Sequence, residues 1–95
     1  MKKFYWRSTF IFSSDKKLDN IDKVRVRLYG IVSDPYSLYA HIGSDGHTEE
    51  DAFTLLIFSE RKPDGLRTAQ AIREEFKQEA VLFEVVRTGA YLATK

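Results

Sequence analysis

Phe53-Thr54-Leu55-Leu56-Ile57-Phe58 is the stretch that decides the fold, six residues with a single polar side chain between an acidic loop and a charged turn. It is too short for an ordinary helix and apolar on both alternating faces, as a central strand is when both sides of its sheet find cover. The other segments can be placed around it.

Residues 4–13, Phe4-Tyr5-Trp6-Arg7-Ser8-Thr9-Phe10-Ile11-Phe12-Ser13, alternate as a second strand. Phe4, Trp6, Phe10 and Phe12 make an aromatic side that should face a core, and Tyr5, Arg7, Thr9 and Ile11 make the other side. Ser13-Ser14-Asp15 ends this strand and offers capping oxygens.

From Leu18 onward, apolar residues at Leu18, Ile21, Val24, Leu28 and Ile31 form one helical stripe, which predicts a helix over 16–30 with Asp19, Asp22, Lys23, Arg25 and Arg27 on wetter sides. Residues 23–29 also alternate as a strand would, and Val26 is the residue that fits the helix worst. The longer pattern is helical, and Gly30 suits its C-terminal end.

Ser33-Asp34-Pro35 reads as a turn, and 37–42 as a half-exposed edge strand with Leu38, Ala40 and Ile42 on one side. Residues 43–51 are loop by composition. After Phe58, a turn with Asp64 as N-cap leads into a helix whose stripe is Leu66, Ala69, Ile72, Phe76 and Ala80. Residues 81–88 then form a strand, and Gly89 turns or bulges the chain before Tyr91 and Leu92.

Strand, helix, strand, strand, helix, strand is the order of an α+β fold of the split βαββαβ, ferredoxin-like kind. Two right-handed crossovers then give a four-stranded antiparallel sheet of order 4-1-3-2 with both helices on one face. Ninety-five residues suffice for a single domain over 1–95 and leave no room for a second.

If the aromatic side of the first strand meets the helices, with Phe53, Leu55, Ile57, Val81, Phe83 and Val85, the opposite sheet face carries Tyr5, Arg7, Thr9, Ile11, Thr54, Leu56, Phe58, Leu82, Glu84 and Val86. Tyr5, Ile11, Leu56, Phe58, Leu82 and Val86 there are large and apolar in body, a wider patch than monomers usually leave wet. Covering several hundred Å² at ~25 cal/mol per Å² would contribute on the order of 10 kcal/mol before association costs. Tyr5, Arg7, Ile11, Leu56, Phe58, Leu82 and Val86 are therefore the expected interaction face.

Composition excludes several chemistries. The chain has no cysteine, so it has no disulfide, thiolate nucleophile or cysteine-ligated metal. Net charge is +1, distributed as +5 over residues 1–27, −6 over 28–60 and +2 over 61–95. That is a dipole, whereas a phosphate-gripping domain shows an overall basic excess. Tyr39, His41, Asp45 and His47 form a polar cluster, but the spacing matches no metal motif and no cofactor is expected. No glycine-rich phosphate loop and no serine-triad context occurs, so no catalytic residue is assigned.

An RNA reading would use Tyr5, Phe58 and Arg7, but residues 51–58 lack the glycine and leading base of such a strand, so nucleic acid is not the expected partner. No stretch reaches the roughly 20 apolar residues of a membrane span, and Arg7 interrupts the only signal-like start, so a cytoplasmic protein is expected. The leading expectation is a non-enzymatic protein-binding module, most simply a homodimer. Its size and dipole also suit a small accessory or inhibitor protein of a phage or mobile element. The alternatives are a small cofactor-independent enzyme or ligand sensor with a pocket near Tyr39 and His41, and single-stranded RNA binding.

Overall fold

Strand β1, Lys2–Ser13, lies at the centre of the sheet because the chain supplies it with a neighbour on each side. The computed structural model describes residues 1–44 and 49–94. Its elements follow as α1 (Ile21–Leu28), β2 (Tyr36–Ser44), β3 (Glu49–Ser59), α2 (Gly65–Glu75) and β4 (Leu82–Leu92). The antiparallel sheet runs β2-β3-β1-β4, which counted from the β4 edge is 4-1-3-2. This is the ferredoxin-like α+β arrangement, with β1 and β3 inside.

Register fixes which side chains share a face. Phe10 pairs with Leu55 and Phe83, and Phe12 with Phe53. Except for Phe83, which is 37% exposed on the edge strand, these side chains join Leu38 and Ile57 in one core with Val24 and Leu28 of α1 and with Ala69, Ile72 and Phe76 of the α2 region. Both helices therefore cover the same side of the sheet. Phe12 joins the layers, its ring 4.9 Å from Phe76 and 5.9 Å from Phe53.

Helix α1 is shorter than the 16–30 expected from its stripe, and Leu18, 84% exposed, is not in it. Local polar bonds hold the preceding segment in another shape. Asp19 N–H donates to the Lys16 carbonyl, and the Ser14 hydroxyl accepts from Lys16 N–H while donating to Asp19 at 2.6 Å. Asn20 then caps the helix by accepting from Lys23 N–H at 3.0 Å. Residues 21–28 are helical, with Val24 and Leu28 buried and Val26 turned outward at 65% exposure.

Helix α2 keeps the expected stripe at Ala69, Ile72 and Phe76 and departs from it only at its two ends. Gly65, Ala69, Ile72 and Phe76 face inward; Leu66 is 56% exposed, and Ala80 lies exposed beyond the helix. The cause is close approach. A Cβ on Gly65 would stand 2.5 Å from Val85 Cγ2 and 3.2 Å from Phe83 Cδ2, so only glycine lets the helix start against β4. Val85 pairs with Ser8, a small residue that is buried at this contact. Trp6, expected in the core, is half-buried at the rim with Lys62 Nζ and the Arg87 guanidinium each 5.5 Å from its ring.

The composition-based loop over 43–51 is a second correction. Gly43 pairs with Glu50 and Ser44 with Glu49, so the β2–β3 ladder continues through most of it, cross-strand bonding outweighing poor strand propensity. At the far end Val81 precedes β4, and β4 runs on to Leu92. Its register slips opposite Tyr5, where Thr88 and Gly89 occupy the space of one residue, so the chain bulges there and does not turn away.

Candidate functional site

The side of the sheet away from the helices is ordered by three cross-strand rows. Tyr39, Thr54, Ile11 and Leu82 form the first; Ser37, Leu56, Thr9 and Glu84 the second; Phe58, Arg7 and Val86 the third. The seven expected interaction residues are thus brought to one surface, except that Tyr5 sits at its end beside the β4 bulge. Leu82 is 69% exposed, Tyr5 and Ile11 are also exposed, and Leu56, Phe58 and Val86 are half-buried by their neighbours. Phe58 owes part of its cover to Phe4, whose ring centroid is 6.1 Å away.

Charge on this surface is sparse. Arg7 lies between Phe58 and Val86, half-buried, and its Nε is buried with no hydrogen-bond partner. Glu84 is exposed one row away on β4. Neither joins any ion pair among the described residues. Beyond Tyr5 the ammonium of Lys3 stands 4.9 Å from the Tyr5 ring and 5.4 Å from that of Tyr91, a cation held against two aromatic faces.

Comparison with protein-family models, with curated proteins and with solved structures gives no match in any of the three. The surface must be read from its own chemistry.

Of the polar cluster, Tyr39 and His41 lie on the edge strand β2, and His41 Nε2 is 2.8 Å from Thr54 Oγ1. Asp45 and His47 fall outside the described residues. Among the described residues no group of three or more histidine or acidic side chains is placed to hold a metal ion. Among the described residues, one cleft of about 490 Å³ lies between Lys16, Asp19, Ile42 and Phe53, and another of about 380 Å³ between Lys2, Phe58, Glu60 and Pro63. Neither is lined by Tyr39 or His41. Among the described residues no helix is long and apolar enough to cross a membrane.

The strongest electrostatic centre lies on the helix side and was not visible in the sequence. Arg27, expected on a wet face, has a side chain only 15% exposed. Its Nη1 lies 2.8 Å from both Asp15 and Asp19, its Nε 3.1 Å from Glu75, and its Nη2 donates to the Glu75 carbonyl. The guanidinium also lies 4.3 Å over the Phe76 ring. Burial works against the charge, but hydrogen bonds to Asp19, Asp15 and Glu75 hold Arg27 more firmly protonated than usual. The Arg27 hydrogen bond holds Asp15 below its ordinary carboxylate value, and the Ser14 hydroxyl, then Arg27, do the same for Asp19. This cluster ties the β1–α1 connection to both helices and is a structural clamp. No spacing rule relates an arginine to a partner 48 residues away.

Proposed function

We propose that this protein is a binding module that acts by packing its open sheet face against another polypeptide, most simply a second copy, with no chemical step of its own. One observation carries the reading. Ile11, Leu56, Phe58, Leu82 and Val86, with Arg7, Thr9 and Glu84 set among them, line a side of the sheet over which neither helix lies. Apolar area gathered on a rigid sheet loses water at little entropic cost on association, because β1 and β3 already hold its side chains in place.

The test is solution mass by light scattering across a hundredfold dilution, on wild type and on Leu56→Glu. Wild type should weigh twice the 11.0 kDa of one chain at the upper end, and the variant should weigh one chain throughout, with the same circular dichroism. Leu56 lies in the middle row between Thr9 and Ser37 and outside the core cluster, so the substitution spares the fold. A wild type that stays monomeric over the whole range would overturn self-association, and an unaltered dimer in Leu56→Glu would remove the face from the interface.

A further inference from the structure

We infer that the occupant of the open face is a second copy of this chain, stacked about a two-fold axis that sets Arg7 of each copy against Glu84 of the other. The inference rests on the proposed self-association and adds its geometry. Arg7 pairs with Val86, and Thr9 with Glu84, so Arg7 and Glu84 stand one strand and two residues apart on one face. That is an offset of about 4.8 Å across the strands and roughly 6.6 Å along them. A two-fold lying between two stacked sheets and bisecting that offset exchanges the two positions. Each copy then makes the same pair twice over, as an isologous interface requires. The strands of the two sheets would cross at roughly 70°, nearer the orthogonal than the aligned class of sheet packing.

Two observations favour a second copy over a partner of another chemistry. The three cross-strand rows carry one cation and one anion, Arg7 and Glu84, so the face is complementary to itself and to neither an acidic nor a basic surface. Arg7 joins no ion pair among the described residues, which leaves its guanidinium able to take an incoming carboxylate. The apolar rows supply affinity, and the two charge pairs set the register, since a buried pair adds specificity more than strength.

The decisive experiment mixes charge-reversed variants. Arg7→Glu leaves two acids on the face and Glu84→Arg leaves two bases, so each variant alone should be folded and should dimerise more weakly than wild type by on the order of 100-fold or more. Mixed one to one, they should form a heterodimer by light scattering and sedimentation velocity, because each acid again meets a base on the other chain. A repaired contact within one chain cannot produce that result. If wild type dimerises and both single variants dimerise equally well, or if the folded variants fail to associate on mixing, the Arg7–Glu84 pairing is overturned while self-association stands. A wild type monomeric at every concentration overturns both and leaves the face to a different protein.

Discussion

Arg27 and Arg7 are both withdrawn from water, on opposite sides of one sheet, and their surroundings differ completely. Arg27 is met by three carboxylates, a backbone carbonyl and an aromatic ring, all from its own chain. Arg7 stands between Phe58 and Val86 with a buried Nε that nothing in the chain answers. A fold that completes one arginine so fully shows what internal satisfaction looks like. The contrast sets an arginine completed within the monomer against one on the open side with bonding capacity left over, while Ser8 Oγ on the helix side is a second buried atom without a partner.

The largest expected effect comes from removing the finished arginine. Arg27→Met should lower stability to urea by about 2 kcal/mol, because it removes the charged hydrogen bonds to Asp19 and the Glu75 carbonyl and leaves the carboxylates clustered without a cation. Arg7→Met, measured where the chain is monomeric, should change it by less than about 0.5 kcal/mol, since no ion pair is broken. Equal losses from the two substitutions would erase the distinction. The acid limb offers a second readout of the same clamp. Asp15 and Asp19 titrate below their ordinary value of 3.8 in the folded chain, so their contribution is complete above that pH and declines as pH falls through the lower folded values. Arg27→Met should flatten that part of the stability profile.

Smaller effects sharpen the account of the covered side. Gly65→Ala should cost about 1–2 kcal/mol despite alanine's better helix propensity, because its methyl would meet Val85 and Phe83; a gain in melting temperature would show that α2 can move off β4. Lys77 follows the C-cap Phe76 at φ 51°, with Gln78 N–H bonded to the Arg73 carbonyl at 2.9 Å and Lys77 N–H to that of Glu74 at 3.4 Å. That is the closing pattern in which glycine is preferred. Lys77→Gly should stabilise by about 0.5–1 kcal/mol, read as a shift of the urea midpoint at unchanged slope.

Much of the fold was legible because β1 and β3 state it twice. Alternation from Phe4 to Ser13 and the apolar run from Phe53 to Phe58 identify the two strands that the register places side by side. The helices were legible in type and, at Val24, Leu28, Ala69, Ile72 and Phe76, in phase, but not at their ends. Leu66 outweighs Gly65 in any apolar stripe, yet backbone proximity to Val85 decides which of them faces inward. Nor does hydropathy report that Ser14 and Asp19 bond locally and keep Leu18 out of α1. Composition also misread Gly43, Glu49 and Glu50, whose strand geometry comes from the opposite strand.

The open face was legible as a set of residues, since strand parity alone separates Arg7, Thr9 and Ile11 from Ser8, Phe10 and Phe12. Its charge arrangement was not. That Glu84 stands diagonally from Arg7 depends on the β1–β4 register, and that Arg7 Nε is buried depends on side-chain packing that strand parity does not report.

The central position of β1 also has a consequence for synthesis. Both of its neighbours are later in the chain, and its ladder with β4 closes only at the Lys2–Leu92 pair. While the polypeptide emerges, an aromatic strand with two open hydrogen-bonding edges waits first for β3 and then for β4 to be made. Such long-range closure folds slowly. Until it is complete, the nascent chain presents the kind of strand that chaperones hold and that aggregates recruit.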